Sequence, residues 1–227
     1  DAVEFDYFKA YPSPVTQDEI NRLHQHIARR IPKSAKLIMD IGCGNGWLSK
    51  RVVNETRSLI SMDIGITNPQ KALDNLKHPN HYGLVADVYS MPIKNNSIDC
   101  IVASEIIEHV ANPKVFIEKL LDPLIVGGKI IITTPFDERI EYHLCVHCNK
   151  PTPENAHLHR FNSGNVSSFI PSNAKKWSTH TFGNKYVAKM RLYLLIRRLP
   201  FGLWNALDKL ANFFINKPTR FMIIIEK

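Results

Sequence analysis

The chain has little cysteine and no apolar run long enough to span a bilayer. Only four of its 227 residues are cysteine, too few for a disulfide scaffold of this size. A spanning helix needs about 20 consecutive apolar residues, and neither that run nor a signal-peptide pattern occurs in these residues. The composition therefore argues against disulfide-rich and integral membrane classes. We expect one globular domain over residues 1–227, in the cytoplasm and peripheral at the membrane.

Acidic residues are nearly absent between Gly183 and Arg220. This segment has eight basic residues and one acid, Asp208, so it carries most of the formal net charge of +8. Apolar and basic residues interleave within it, several at helical spacing. We predict a basic helical insertion at 183–219 that covers a cleft and contacts an anionic membrane surface peripherally. Nucleic acid is the other acidic partner, but no RNA-binding module is recognisable.

Glycine is also sparse, yet three of the ten glycines fall within five residues, at Gly42, Gly44 and Gly46. They follow an apolar run and precede a helical stretch, an order that suits a nucleotide bound at a helix start. The dinucleotide fingerprint needs glycine at position 47, where Trp47 stands, which argues against NAD and FAD. The Lys-Ser/Thr ending of a phosphate loop is absent as well, which argues against ATP and GTP.

Apolar runs alternate with helical stretches from residue 37 onward. The predicted strands are 37–39, 59–62, 81–85, 98–103, 129–133, 175–182 and 221–226, and the predicted helices are 47–54, 70–76, 113–121 and 163–170. This alternation predicts parallel strands covered by helices on both faces. A capping box from Thr16 to Glu19 opens a helix to about Arg30, within an N-terminal helical cap over residues 1–34.

Carboxylates stand at three successive strand ends. Asp40 precedes the glycine loop, Asp63 ends the second strand and Asp87 follows the third. Any one of them alone would be read as a turn or cap residue. Together they suit a ligand with an ammonium group, a ribose and an adenine, gripped by Asp40, Asp63 and Asp87 respectively.

The stretch from Asp40 to Pro135 resembles the class I S-adenosylmethionine (SAM)-dependent methyltransferases, especially the broad group that includes ubiquinone- and menaquinone-pathway enzymes. The matching segments are Asp40-Ile-Gly-Cys-Gly-Asn-Gly, Ser61-Met-Asp-Ile, Ala86-Asp-Val-Tyr-Ser-Met-Pro, Ser104-Glu-Ile-Ile-Glu-His-Val and Gly127-Gly-Lys-Ile-Ile-Ile-Thr-Thr-Pro. The resemblance implies a Rossmann-like α/β fold. Its seven-stranded, mostly parallel sheet would place the antiparallel last strand, 221–226, between strands five and six.

The resemblance also implies the chemistry. SAM would be the cofactor and S-adenosylhomocysteine the product, and the acceptor would be an oxygen, or else a nitrogen or carbon, of a small or lipid-linked metabolite. The implied cofactor contacts are Asp40, Gly42, Cys43, Gly44, Gly46, Asp63, Ile64, Asp87, Val88, Ser104 and Glu105. A general base is needed mainly for a hydroxyl or ammonium acceptor. His109 is the catalytic candidate, ahead of His143, His157 and His159; its structural alternative is to hold the adjoining loop.

A run of metal-ligand types lies in the segment 136–162. Cys145 and Cys148 are spaced CxxC, and His157 and His159 follow, which is a complete donor set for tetrahedral zinc. We predict that these four residues bind zinc and rigidify a loop with no core of its own. The alternative is a pair of surface thiols and two loop histidines without a metal.

Two other functions stay open. Glu105, Glu108, His109 and the later His159 resemble the metal ligands of small-RNA 3′-terminal 2′-O-methyltransferases. The chain would then be a metal-dependent RNA 3′-terminal 2′-O-methyltransferase. It could also be a non-catalytic SAM-binding scaffold, because intact cofactor residues do not by themselves establish turnover.

Overall fold

Residues 13–190 and 192–227 are described by a computed structural model, and within them seven strands form one sheet. The strands of the chain are β1 (Leu37–Ile41), β2 (Ser58–Asp63), β3 (His81–Val85), β4 (Ile98–Ser104), β5 (Leu124–Pro135), β6 (Tyr142–Leu144), β7 (Pro151–Pro153), β8 (Lys176–Asn184) and β9 (Pro218–Glu226). The sheet order is β3-β2-β1-β4-β5-β9-β8, while β6 and β7 form a separate hairpin. Strands β1 to β5 pair in parallel, and β9 runs antiparallel to β5 and β8. The predicted Rossmann-like sheet is confirmed.

Helices connect the strands and cover both faces of the sheet. They are α1 (Pro14–Ala28), α2 (Ser49–Val52), α3 (Thr67–Asn75), α4 (Pro113–Leu121), α5 (Val166–Phe169), α6 (Lys185–Lys189), α7 (Tyr193–Ile196) and α8 (Phe201–Phe214). The last three lie between β8 and β9, where the helical insertion was predicted. The first twelve residues of the predicted N-terminal cap and Arg191 of the insertion lie outside the described residues. Within the described chain, no helix is both long and apolar enough to cross a membrane.

The sheet is buried on both faces, which explains why its strands read as continuous apolar runs. One core cluster packs α4, through Phe116 and Leu120, against Ile101 of β4. The other packs α1, through Leu23 and Ile27, against the opposite face. Each fully buried side chain of this size stabilises the fold by about 1.5–3 kcal/mol. The two layers hold the carboxyl ends of the parallel strands in fixed positions.

The start of α1 differs from the sequence expectation. Its N-cap is Ser13, whose hydroxyl accepts a hydrogen bond from the Thr16 backbone N–H at 3.2 Å. The prediction of Thr16 as the N-cap is wrong, because Pro14 is already preset for the first helical turn and needs no N–H donor there. Ser13 therefore caps the helix one turn earlier than predicted.

His26 should make stability depend on pH. Its ring is buried and stacks on Phe182 with centroids 4.0 Å apart. Burial, followed by the charges of Arg30, His180, Lys209 and Arg22, lowers the pKa of His26 to about 3. The pKa of His26 in the folded chain thus lies below its value of about 6.5 in the unfolded chain. The contribution of the buried, neutral ring to the free energy of unfolding is therefore complete above pH ~6.5 and is lost as the pH falls towards the pKa of the folded chain.

We expect the urea midpoint of the wild type to fall more steeply between about pH 6.5 and pH 4 than that of His26→Phe, which cannot take up the proton. Other titrating groups contribute equally to both proteins, so the difference between the two curves isolates His26. Parallel curves would contradict this assignment.

Candidate active site

The loop after β1 can be built only with glycine at certain positions. Gly42, Gly44 and Gly46 have φ values of 69°, 51° and 72°, in the left-handed region that side chains disfavour. A Cβ on Gly46 would lie 2.5 Å from the Ala72 Cα of α3, and one on Gly42 would lie 2.2 Å from Ile106 Cδ1. The loop is thus wedged between α3 and the segment after β4.

Asp40 is a buried carboxylate with an unsatisfied oxygen. Its side chain is 1% exposed, and Oδ2 has no hydrogen-bond partner. Burial, helped by the nearby charge of Asp63, raises the pKa of Asp40 to about 8. Burying an unpaired polar atom is costly, and an adjacent ammonium group would both pair the oxygen and favour ionisation. Asp40 therefore fits a cationic ligand group.

The next two carboxylates are fixed by local hydrogen bonds. Asp63 accepts from the Gly65 N–H at 3.1 Å and from Asn68 Nδ2 at 2.9 Å. Asp87 is exposed and accepts from the Tyr89 N–H at 2.9 Å, opening a short 3-10 turn. Since β2 and β3 pair in parallel, both carboxylates lie along the edge of the sheet that carries the glycine loop. These local hydrogen bonds fix the orientation of both carboxylates at that edge.

The residues next to these carboxylates differ in exposure. Ile64 is exposed beside Asp63, and Val88 is half-buried against the core after Asp87. Cys43 is fully buried in the glycine loop, and burial raises the pKa of its thiol. Cys43 is thus a neutral packing residue whose contribution to a ligand site would come from its backbone.

Buried polar atoms that lack a hydrogen bond gather at the carboxyl ends of β4 and β5, although one of them, Arg220 Nε, makes an ion pair. They are Glu105 Oε1, Glu108 Oε2, Thr134 Oγ1 and Arg220 Nε, which together with their side chains we call the polar cluster. Glu105 has a φ of 56°, in the left-handed region that a residue other than glycine adopts only with backbone strain. Burial and the neighbouring Glu105 raise the pKa of Glu108 to about 8. Unsatisfied groups of this kind concentrate at functional sites.

Other contacts connect the polar cluster to its surroundings. The Ser104 and Thr133 hydroxyls lie 3.0 Å apart across β4 and β5. Arg220 Nε lies 3.4 Å from Glu105 Oε2. The sequence does not indicate Arg220 as a site residue, because only the antiparallel register that pairs it with Pro135 brings it to this end of the sheet.

His109 follows the polar cluster on the loop after β4. The Ala156 carbonyl accepts a hydrogen bond from His109 Nδ1 at 3.2 Å, so Nε2 is the nitrogen with a free lone pair. The ring is exposed at the surface, but partial desolvation and the neighbouring His157 lower its pKa below the ordinary value. His109 is therefore a neutral imidazole at pH 7, as a general base must be.

The predicted zinc ligands do not come together. Cys145 and Cys148 lie in the turn of the β6–β7 hairpin, where the Cys145 N–H donates to the Lys150 carbonyl at 2.9 Å. His157 Nδ1 instead pairs with Glu138, and His159 Nε2 donates to the Val110 carbonyl at 2.9 Å. His159 holds this segment to the loop after β4 and His157 holds it to Glu138 after β5, so the described residues do not form one site from all four predicted ligands.

A different set of ligand types is gathered at the polar cluster. The ligand atoms of Glu108, His109 and His157 lie within 4.8 Å of one another. This is the one group of three or more such residues at metal-ligand spacing within 13–190 and 192–227. A carboxylate with two imidazoles suits a divalent cation. The sequence predicts Glu108 and His109 as metal ligands, but together with Glu105 and His159 rather than His157, and His159 donates to the Val110 carbonyl instead.

A cavity lies between α1, the end of β8, and the insertion. Its polar lining includes Glu19, Arg22 and Arg220, and its apolar lining includes Phe182 and Trp204. Arg220 also contacts Glu105, so the cavity borders the polar cluster. Its lining is mixed: Arg22 donates to the Ile196 and Arg197 carbonyls of the insertion and lies over the Trp204 ring, while Arg220 faces the cluster.

Comparison with known proteins shows that the chain is similar to methyltransferases. Residues 39–132 match the family model of a methyltransferase domain. Over 119 residues the chain is 30% identical to the mitochondrial ubiquinone biosynthesis O-methyltransferase of Rattus norvegicus, covering 50% of this chain and 34% of that protein. It is 30% identical over 100 residues to the malonyl-[acyl-carrier protein] O-methyltransferase of Hahella chejuensis, covering 43% of this chain and 36% of that protein. The chain thus spans about a third of the length of these relatives.

Solved structures agree on the fold. The SAM-dependent methyltransferase of Mesorhizobium loti superposes with a TM-score of 0.61 at 12% identity, covering 89% of this chain and 96% of that one. An identity this low supports the fold alone. Residues 39–132 thus match a methyltransferase domain, and the described chain has the fold of SAM-dependent methyltransferases, so the resemblance predicted from the sequence is confirmed.

Proposed function

We propose that this chain is a methyltransferase that transfers the methyl group of SAM to an oxygen of a small or lipid-linked metabolite. The observation that carries the proposal is the buried, unpaired carboxylate oxygen of Asp40 beside a loop that only glycine can form. SAM has an ammonium group and no phosphate, so a site with carboxylates at the strand ends fits SAM better than it fits a phosphorylated nucleotide.

The chain's own residues would divide the binding of SAM among them. Asp40 would hold the ammonium group, Asp63 the two ribose hydroxyls and Asp87 the adenine amino group. Ile64 and Val88 would flank the base, and the loop 42–46 would approach the amino-acid end through its backbone. Ser104 and Glu105 would complete the site next to the polar cluster. Bound SAM supplies a methyl group on a cationic sulfonium, a good leaving group.

The cavity beside Arg220 is small, about 40 Å³, so it would take only one end of an acceptor. Arg220 and Glu105 would orient the polar end, and Phe182 and Trp204 would exclude water from it. Alignment and exclusion of water supply much of the acceleration for a transfer of this kind. Oxygen is the favoured acceptor atom because both of the relatives described above are O-methyltransferases by name.

Replacing His109 by glutamine is expected to lower the rate of methyl transfer by about a hundredfold or more, the usual contribution of a general base. SAM affinity should stay unchanged, because His109 lies outside the glycine loop. The measurement is label transfer from methyl-labelled SAM into a cell extract at saturating SAM. His143→Gln, at an exposed histidine of β6, is the matched control. A fully active His109→Gln protein would leave His109 with the structural role of holding segment 156–157.

The acceptor class is tested by fractionating the labelled products. Purified protein, methyl-labelled SAM and extract are incubated, and label is counted in the organic, aqueous small-molecule and RNA fractions. We expect label in the organic or small-molecule fraction, insensitive to ribonuclease. Label confined to ribonuclease-sensitive material would refute the metabolite proposal. Absence of both label and released S-adenosylhomocysteine would favour the scaffold alternative.

The Glu108–His109–His157 group favours one second candidate, an RNA 3′-terminal 2′-O-methyltransferase. A divalent ion held by these residues would bind two ribose hydroxyls and activate one of them. This candidate predicts that chelation abolishes transfer to short RNA and that added Mg²⁺ or Mn²⁺ restores it. It also predicts no transfer to RNA with a 2′-deoxy 3′ end. Failure of the chain to shift short RNA at low salt would remove it.

A further inference from the structure

Helix α8 has one face that is fixed to the domain. Trp204 and Asp208, four residues apart, are both buried. The Asp208 carboxylate accepts from the Gly183 N–H at 3.1 Å, and Asn212 Nδ2 donates to the Gly183 carbonyl at 3.2 Å. The face bearing residues 204, 208 and 212 is therefore satisfied by the end of β8, which sets the rotation of the helix.

The opposite face of α8 is apolar and exposed. Leu203, Leu207, Leu210 and Phe214 repeat at helical spacing and form one stripe, which Phe213 extends; we call these five residues the α8 stripe. Phe213 is 81% exposed and Phe214 is 74% exposed. Leu195 of α7, in the same insertion, is also exposed, at 76%. An exposed apolar patch on a folded domain usually marks an interaction surface.

The charged side chains of the insertion have one sign. Its exposed basic residues among those described are Lys185, Lys189, Arg197, Arg198, Lys209 and Lys217. Asp208 is the single acid between residues 183 and 220, and it is buried against β8. The exposed charges of the insertion itself are therefore all positive, and Asp18 of α1 is an acid close to one of them, Arg197.

We propose that the α8 stripe lies on an anionic phospholipid bilayer. The leucine and phenylalanine side chains would enter the boundary between headgroups and acyl chains, and the flanking lysines and arginines would contact lipid phosphates. Charge complementarity selects an anionic bilayer over a neutral one and over a second copy, whose equally basic insertion would repel this one. The fourteen residues of α8 span about 21 Å, which is less than the hydrocarbon core of a bilayer, about 30 Å. The helix would therefore lie along the surface.

This surface adjoins the cavity of the candidate active site. Trp204 and Ile196, from the insertion, line that cavity, while the neighbouring Leu203 and Leu195 face outwards. A membrane-bound insertion would thus present the cavity to amphiphilic molecules dissolved in the lipid. The bilayer proposal itself does not rest on methyl transfer, and its test reads vesicle binding alone.

The test is co-sedimentation of the full chain with two kinds of vesicle. One kind contains phosphatidylglycerol and phosphatidylcholine in equal parts, and the other contains phosphatidylcholine only. We expect binding to the anionic vesicles that weakens with salt, and little binding to the neutral ones. Phe213→Ser with Phe214→Ser should reduce the partition coefficient by tenfold or more, since about 1.5–3 kcal/mol accompanies each buried apolar side chain. Val126→Ser, at an exposed valine of β5, is the matched control.

Charge is tested separately. Arg198→Gln with Lys209→Gln should reduce binding to anionic vesicles by about fivefold per residue, at about 1 kcal/mol for each basic residue near the surface. Lys33→Gln with Lys77→Gln, two exposed lysines outside the insertion, should leave it unchanged. All four positions are exposed, so folding is preserved. Lack of binding to anionic vesicles at low salt, or equal binding to both kinds, would overturn the proposal. So would a dimer in solution that Phe213→Ser with Phe214→Ser converts to monomer.

Discussion

Replacing Asp63 by alanine is expected to weaken SAM binding by about a hundredfold. The Asp63 carboxylate is the candidate acceptor for both ribose hydroxyls, and hydrogen bonds to a charged group contribute about 1.5–3 kcal/mol each. The Gly65 N–H and Asn68 also lose their acceptor, so the loop after β2 would order less well around a ligand. The measurement is equilibrium dialysis of labelled SAM against wild type and variant.

Asp74→Ala is the matched control for that experiment. Asp74 is an exposed carboxylate on α3 whose contact is with Gln70, one turn earlier. It shares the charge of Asp63 and lies outside the candidate site, so its removal should leave SAM affinity unchanged. An Asp63→Ala protein that binds SAM as well as the Asp74→Ala protein would remove Asp63 from the site.

Gly46→Ala is the second substitution with a large expected effect. The added methyl would meet the Ala72 backbone at 2.5 Å, and the residue would keep a φ of 72°. Left-handed strain and overpacking together should lower the free energy of unfolding by about 2–4 kcal/mol. The displaced loop should also bind SAM poorly. Urea denaturation followed by circular dichroism gives the first quantity, and equilibrium dialysis gives the second.

Gly127→Ala separates the two causes. Gly127 has a φ of 77°, but a Cβ there would meet no atom within 4 Å. It should therefore show the left-handed strain alone, about 1 kcal/mol, with SAM binding intact. Equal losses of stability at the two glycines would contradict the close packing of the glycine loop against α3.

The central sheet could be predicted because its signals are local. Apolar runs, a glycine loop and acids at strand ends follow one another in sequence, and each reports on its own strand. Extents were less accurate: β5 begins at Leu124 where the prediction began at 129, because it continues through the glycine pair beside a register shift of β4. Helix α2 is only Ser49–Val52 where 47–54 was predicted.

The polar cluster could not be predicted, because it depends on contacts between distant residues. Arg220 reaches Glu105 only through the antiparallel pairing of β9 with β5. The same limit applies to the zinc prediction. Residue types and spacing suited a four-ligand site, but His157 and His159 bond to Glu138 and Val110, away from the hairpin that carries the cysteines. Sequence spacing defined the donor set but not which donors meet.

The charge pattern predicted the position of the helical insertion but not which face of its last helix is buried. The basic, apolar segment was visible in the sequence, and its helices lie where they were expected. Which face of α8 is buried depends on the bonds of Asp208 and Asn212 to Gly183. Only the structure therefore separates the face that packs on the domain from the α8 stripe.

The most direct test of the SAM site is a calorimetric titration of the purified chain with S-adenosylhomocysteine. We expect saturable binding of one molecule per chain, greatly weakened in Gly46→Ala and retained in Gly127→Ala. Absence of binding to the folded wild-type chain would contradict the assignment of Asp40, Asp63 and the glycine loop to SAM.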